Sequence, residues 1–442
     1  MGMVMSARNV AGLANEILIP EYQAERHRLD GIDGWWHWAP EKVDLPARSN
    51  SEHTALRDVS EDQWLNLVVT TVAQQLAVEG VRSSRAGADV DAIWEPWLKN
   101  RMPSRQKAIH YAATGYGYSY LTVKPGDRGA VMRGRSPREV YAVYADATVD
   151  EYPMYYVDMR ASGPVIVDEE AEYFMAKGRL GYELVEARVH GVGVAPLVRY
   201  SNNIDLEART PGEVEPYIAT AKRINKTTYD RMLTQHFNSW KVRTATGLDE
   251  PANAEDAEQM ALRFRQNDIL TGGPDVQFGT LDETPLDGFI SAKMDDVRTL
   301  AATSQTPSHA LTGDLINLSA DAISESRAML DLKAGERKRT YGDSHAQALR
   351  LAAHIEGREE DAADFTISMQ WADLEARSMT QAADALGKIA TMLGVPVEKL
   401  WDRIPGVSVE EARAWREYRE QNPSADERLS SALMAQANGA DG

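Results

Sequence analysis

Phe289-Ile-Ser-Ala-Lys-Met-Asp-Asp-Val-Arg-Thr-Leu-Ala-Ala302, then Pro307-Ser-His-Ala-Leu-Thr-Gly-Asp-Leu-Ile-Asn-Leu318, then the run from Ser319 to Gly357: the fold turns on how these three pieces are read. Phe289, Met294, Val297 and Leu300 with Ala301 share one stripe at near-3.6 spacing, the mark of an amphipathic helix. A proline has no N–H for a helix interior and drives its predecessor out of the α region, so this helix is predicted to end at or before Thr306. The next dozen residues mix turn formers with apolar side chains. Ser319 then has the chemistry of an N-cap, Asp321 stands where the helix dipole favours an anion, and neither proline nor glycine recurs before Gly335. One helix of roughly 50 Å is predicted over 319–357, with Gly335 and Gly342 as places for a bend. Ile323, Arg327, Leu330, Lys333 with Ala334, and Arg337 give it a mixed face, which suits packing between subunits better than burial in one core.

Composition narrows the classes. A chain of 442 residues has room for more than one domain. It has no cysteine, which removes disulfide frameworks, thiolate metal sites and cysteine nucleophiles, and fits assembly in a reducing cytoplasm. No run of 18 or more apolar residues occurs, and the first residues lack the basic-then-apolar layout of a signal peptide, so a soluble protein without a membrane partner is expected. The formal charge is −19, from 67 acidic and 48 basic residues. Tight binding of duplex DNA through many phosphates calls for a basic surface, so the chain is a poor tight binder, yet like charge around a passage would keep DNA from sticking.

Ahead of the deciding stretch, Ala11 to Leu29 reads as a helix ending before Gly31. Trp35-Trp36-His37-Trp38 reads as an aromatic, turn-like segment, either an interface anchor or the cover of a core edge. Arg48 to Leu56 reads as loop. Ser60 reads as a helix start with Trp64, Leu67, Val68, Val72 and Leu76 on one face, leading to a short strand at Val78–Arg82. A helix over Ser104–Ala113 precedes Gly115-Tyr-Gly-Tyr-Ser-Tyr-Leu-Thr-Val123, where Tyr116, Tyr118 and Tyr120 alternate with Ser119, Leu121 and Val123 at the period of a strand. Gly115-x-Gly117 is no nucleotide loop: a third glycine is absent and the order is helix then strand. Short strands at 140–144, 155–159, 165–167, 171–174, 182–185 and 187–190, separated by Gly, Asp and Pro turns, predict an antiparallel sheet.

Thr210-Pro-Gly-Glu213 opens a helix with Val214, Ile218, Ala221, Ile224, Thr228 and Met232 as its buried stripe. Lys222, Arg223, Lys226 and Arg231 lie around that stripe, with Lys293 and Arg298 on the next helix. They read either as a solvated face with intersubunit salt bridges or as contacts to DNA phosphates or a partner. Residues 237–284 read as a compact insert: strand 239–244, helix 254–265, strands 268–270 and 276–278, with Lys241, Arg243, Arg263 and Arg265 as its basic residues beside Trp240. After the long helix come a strand at 365–371, helices over 380–392 and 397–404, a third helix capped by Ser408, and a polar tail beyond Gln421.

This order of parts, with Leu76-Ala-Val-Glu-Gly-Val81, Trp97-Leu-Lys-Asn100, Ser136-Pro137, Asp146, Pro196 to Asn203, the Gly313-Asp314 loop and Lys333, Glu336, Arg337 and Tyr341-Gly342, resembles the bacteriophage portal proteins of the broad Bacillus-phage type. The resemblance implies an α+β portal fold: wing at 1–210, stem helix at 211–237, clip at 238–284, second stem helix at 285–305, tunnel loop at 306–318, long helix at 319–357, crown and tail at 358–442. It implies a homo-oligomeric ring of twelve at one capsid vertex of the virion, assembled in the host cytoplasm, through which double-stranded DNA is packaged by the terminase large subunit and later ejected. A head-completion adaptor, the major capsid protein and a scaffold are its further implied partners, and no cofactor is implied. On this reading Pro307, Ser308, His309, Thr312, Gly313, Asp314 and Asn317 face DNA, where hydroxyls and amides would touch phosphates briefly and Asp314 would repel them; Trp240, Lys241, Arg243, Arg263 and Arg265 form the surface for terminase or adaptor.

Rival readings are a metal-dependent nuclease, built on Asp295-Asp296 and on Glu359-Glu360-Asp361 with Asp364, and another coat or ring-adaptor protein. Adjacent acids point to different sides of a helix, no histidine or lysine stands at a recurring catalytic spacing from them, and His345 and His354 are not at one-turn spacing. No Gly-x-x-x-x-Gly-Lys-Ser/Thr occurs, so ATP-driven translocation is not encoded. A non-enzyme is expected.

Overall fold

The first helical stretch runs further than its sequence suggests. In the computed structural model, which describes residues 4–37, 45, 51–238, 243–246, 277–280, 284–313, 320–372, 379–404, 406–407 and 409–422, α1 (Ala7–Gly12) passes through a π-helical turn, Leu13–Leu18, into α2 (Ile19–Trp36). The expected end before Gly31 is wrong. A mid-helix glycine costs about 1 kcal/mol, and continuing past it buries Ile32 and Trp36, which outweighs that. Trp36 covers a core: its ring meets Tyr116 edge-on at 5.0 Å. The expected loop at 48–56 is partly helix α3 (Ser51–Asp58). Ser60 ends that helix rather than starting the next, donating its hydroxyl to Arg57 O at 2.8 Å, and α4 (Trp64–Ala73) begins four residues later. Its buried face is Leu65, Val68, Val69, Val72 and Ala73, with Leu67 exposed.

β1 (Val78–Arg82), α5 (Val90–Lys99) and α6 (Met102–Tyr116) lead to β2 (Tyr118–Gly126). β2 is the centre of a three-stranded antiparallel sheet, between β3 (Gly129–Arg135) and β9 (Leu197–Ser201). Its alternation sends Tyr118 and Tyr120 into one core and Leu121 and Val123 into another, so this sheet separates two apolar layers. β4 (Val140–Val143), β5 (Tyr155–Arg160), β6 (Gly163–Val167), β7 (Ala171–Lys177) and β8 (Tyr182–Val189) form an antiparallel meander, as the turn-separated strands predict. The two strands expected at 182–190 are one. The register jumps between Phe174–Glu186 and Met175–Leu184, leaving Val185 as the extra residue of a bulge, and that breaks the alternation. Val10, Leu18 and Tyr22 of the N-terminal helices pack on Val157, Ile166 and Tyr173 of the meander.

α7 (Ile218–Asn238), entered through a 3₁₀ turn at Glu215–Tyr217, packs beside a helix spanning Asp287–Thr303. Between them, β10 (Arg243–Thr246) pairs antiparallel with β11 (Gln277–Thr280). The described pairing overlaps the strands expected at 239–244 and 276–278 and runs two residues past each; residues 239–242 and the helix and strand expected at 254–270 lie outside the described residues.

The long helix is a single unbroken run, Ala320–Ile355, 36 residues and about 54 Å at 1.5 Å per residue, ending at Gly357 with φ +75°. Of its expected mixed face, Leu330, Lys333, Ala334 and Arg337 are buried within the chain and Arg327 is half-buried, while the Ile323 side chain lies outside the described residues. Further along, Tyr341, His345, Leu349 and Ala352 are buried, with Tyr341, Leu349 and Ala352 in one core with Trp97, Met102, Val198 and Tyr200. Beyond it β12 (Ser368–Trp371) returns to pair antiparallel with β1. Helix Met379–Leu393 agrees with the sequence reading, the expected helix at 397–404 resolves into 3₁₀ turns at Val397–Lys399 and Trp401–Arg403, and a last helix spans Val409–Gln421. Ser408 and the tail beyond 422 lie outside the described residues.

Candidate nucleic-acid interface

Val214, Ala221 and Ile224 bury against Val297, Leu300 and Ala301, which fixes α7 and the Asp287–Thr303 helix side by side. The expected stripe on α7 is incomplete: Asn225 and Tyr229 are buried too, and Met232 is only half-buried. Asn225 Oδ1 accepts the N–H of Asp62 at 3.2 Å, which accounts for a polar residue on that face. Phe289 and Met294, on the predicted stripe, are half-buried.

The basic residues around the pair are engaged inside the chain. Arg223 Nε bonds Asp296 Oδ1 at 2.7 Å across the two helices, Lys226 pairs with Asp230 at 2.5 Å one turn on, and Lys293 reaches Asp62 at 3.3 Å. Lys293 also lies over the Trp64 ring, 5.7 Å from its centre, and Arg231 donates to Gln235 at 3.3 Å. Lys222 also has a partner, and Arg298 is exposed. Arg223, Lys226 and Lys293 are therefore locally neutralised.

The Asp287–Thr303 helix ends as its proline predicts. Gln305 takes a left-handed φ of 54° and Thr306 N–H reaches back to Ala301 O at 2.9 Å, the six-to-one closure of a Schellman turn. The expected loop after it is partly helical. Pro307 fixes the entry to one helical turn, Ser308–Thr312, closed by Gly313 at φ +73°. Pro307 and Leu311 are buried, while Ser308 and Gly313 are exposed and His309 and Thr312 half-buried. Leu311 seats this turn in the core shared with α4 and α7, which is why a segment rich in turn formers holds helical shape. Asp314 and Asn317 lie outside the described residues, as do Trp240, Lys241, Arg263 and Arg265; Arg243 is described only as backbone, at the start of β10.

A buried ionic junction joins these parts. Lys333 Nζ, on the long helix, bonds Glu213 Oε2 at 2.5 Å and Ser304 O at 2.8 Å. One turn on, Arg337 donates to Asn202 Oδ1 at 2.6 Å and to Glu213 Oε1 at 3.2 Å. Glu213 N–H is held by Thr114 O at 2.7 Å, and Asn202 Nδ2 donates to Pro211 O at 3.0 Å. Lys333, Arg337, Glu213 and Asn202 are all buried. Burial pushes the Lys333 ammonium below its ordinary pKa, with Glu213 opposing that shift. The start of α7, the end of the next helix, the long helix and the β9 exit thus meet at one point. The sequence does not mark Glu213, Asn202 and their partners as a site; the available signal is Lys333 and Arg337, four apart on a stripe that also carries Ala334 and Tyr341.

Most acids of the nuclease reading are committed elsewhere. Asp296 holds Arg223. Arg85 binds Glu360 at 3.0 Å and also Asp361, Asp361 takes Arg358 at 2.6 Å, and Asp364 accepts from Ser83 at 2.5 Å and Thr366 at 2.6 Å. Among the described residues no group of three or more His, Asp or Glu side chains is placed to hold a metal ion, and no helix is long and apolar enough to cross a membrane.

The family described as "Phage portal protein, SPP1 Gp6-like" matches residues 24–424. No curated protein matches the chain. Solved structures similar to it include a chain from the virion of a native gene transfer agent particle (11% identity, TM-score 0.42, covering 84% of this chain and 94% of that one). Two more are from the neck of the empty particle computed with C6 symmetry (11%, 0.43, 84% and 95%) and from the neck of the native particle computed with C12 symmetry (13%, 0.44, 84% and 94%).

Proposed function

The chain belongs to the phage portal proteins, SPP1 Gp6-like, a structural family of head-to-tail connectors, and from that premise we propose how it works: as a passive ring of about twelve copies around passing double-stranded DNA. The observation that carries this is the junction of Glu213, Lys333 and Arg337, which ties the two side-by-side helices and the turn after them to the long helix. Such a tie gives the turn at Ser308–Thr312 and the residues after it a fixed base from which to meet DNA, with residues 306–318 acting as the channel loop.

The charge supports transit over grip. The chain carries −19, and Arg223, Lys226 and Lys293 are neutralised in place, so few phosphates would be held at once and release would be easy. Ser308, His309 and Thr312, with Asn317 beyond them, would supply brief hydrogen bonds. The insert at 238–284, with Trp240, Lys241, Arg243, Arg263 and Arg265, would meet the terminase and later the adaptor; capsid protein and scaffold would meet the outer surface during assembly in the host cytoplasm. On this reading the chain has no catalytic step of its own and sits at one vertex of the virion.

Deleting Asp314–Asn317 tests it, because Leu311 and Gly313 keep their places. Rings should assemble as in the parent, while particles package less DNA or lose it afterwards. Disassembled rings, or particles filled and held as well as the parent's, would contradict the channel-loop assignment.

A further inference from the structure

His110 on α6 and His345 on the long helix meet with their Nε2 atoms 2.8 Å apart, and both residues are fully buried. The outer nitrogen of each ring is also engaged. His110 Nδ1 faces the carbonyl of Leu76 at 2.9 Å and so carries a proton; its Nε2 must then accept. His345 Nε2 is therefore the donor between the rings, and its Nδ1 accepts the hydroxyl of Tyr200 at 2.8 Å. With both imidazoles neutral, this proton arrangement satisfies the whole chain of Tyr200, His345, His110 and Leu76.

The surroundings offer nothing to a positive charge. Trp97 of α5 stands edge-on to His345 at 4.8 Å, Tyr341 of the long helix stacks on His110 at 5.4 Å, and Trp371 of β12 lies 5.7 Å from His110. The titratable neighbours are Tyr200 from β9 and Tyr341, both kept protonated by burial. Among the described residues no carboxylate, lysine or arginine is ion-paired or hydrogen-bonded to either ring. A tetrahedral zinc does not fit between them: two zinc–nitrogen bonds of about 2.0 Å would hold the nitrogens about 3.3 Å apart, and they stand at 2.8 Å.

We propose that this pair is a proton-operated lock between α6 and the long helix, closed while both rings are neutral and opened when either takes a second proton. One added proton leaves a buried cation without a counter-ion, and a proton on each ring sets two N–H donors against each other at hydrogen-bond distance. The long helix is then released from α6 at Tyr341–His345, about two to three turns from the Lys333 end that anchors the stem-side helices. Burial depresses both rings, His110 to about 4 and His345 well below its ordinary value, with His110 adding to the effect on His345. A depressed histidine contributes its stability above its unfolded value of about 6.5 and loses it progressively as pH falls from there toward the folded value. The lock therefore loosens below about pH 6.5.

The test is amide hydrogen exchange of the intact protein at pH 7.5 and 5.0, read over 102–116 and 341–353 after correction for the intrinsic rate, with the parent compared to His345→Gln. A glutamine amide can donate to neutral His110 or, turned over, accept from the protonated ring. In the parent these two segments should exchange about tenfold faster at the lower pH, and in the variant they should not. Equal acceleration in both proteins would overturn the proposal. Should the variant fail to fold, exchange at the histidine C2 carbon in the parent decides alone: His110 and His345 titrating well below the exposed histidines supports the lock, and ordinary titration of both refutes it.

Discussion

Lys333 illustrates how much one side chain can fix. An ammonium within 2.5 Å of Glu213 and 2.8 Å of a main-chain carbonyl is tolerable in the interior only because both partners are present. Lys333→Met leaves Glu213 buried with Arg337 as its remaining partner, and is expected to cost about 3–5 kcal/mol, seen as a lower midpoint in denaturant. Adding Glu213→Gln to that variant should deepen the loss, since Arg337 then loses its buried carboxylate; a recovery instead would mean that the three groups do not act as a unit. Gly117 is fixed by a different force. It sits at φ +101°, and a Cβ there would stand 1.9 Å from Thr210 O. Gly117→Ala should therefore destabilise by well over the ~1 kcal/mol of the backbone term alone, with soluble yield as the first readout. The Gly115-x-Gly117 pattern is visible in the sequence, but its cause is not: the chain returning through Thr210 to Glu213 presses on it from nearly a hundred residues away.

Elements set by local patterning were legible. The alternation at Tyr118–Val123, the proline stop at Thr306-Pro307 and the glycine-free run after Ser319 each rest on the geometry of neighbours in sequence, and each element formed. The failures depended on distant partners. Gly31 stays helical because Trp36 finds a core, residues 308–312 coil because Leu311 does, and Lys333 and Arg337 of the long helix close on Glu213 and Asn202 of their own chain. The pairing of β1 with β12 joins strands nearly three hundred residues apart, and no local pattern announces it. That pairing has an acid-sensitive edge. Burial raises the Asp364 carboxyl, but hydrogen bonds from Ser83 and Thr366 and the nearby Arg85 outweigh this and hold it below the usual range. Its contribution is complete above about pH 4 and is lost as pH falls through the lowered value. Exchange in 78–82 and 368–371 should thus stay flat between pH 7.5 and 5.0 and quicken only below about pH 4. Quickening together with the His110–His345 segments would show that the two regions open as one.

At the scale of the whole molecule, the wing-like sheets, the two side-by-side helices and the long helix form a connected body through shared cores and one ionic junction. Exposed Met392 and Leu393 at the end of their helix, and Tyr418 on the last one, are apolar side chains on the segment expected to form a crown, where copies would meet. The family assignment rests on 24–424 matching as a whole, and its central physical consequence is closed rotational symmetry. Native mass spectrometry of the purified protein, with class averages from negative-stain images, measures that directly. Rings of about twelve subunits with a central hole are the expected result; a compact monomer or dimer that persists across concentration would contradict the passive-ring reading.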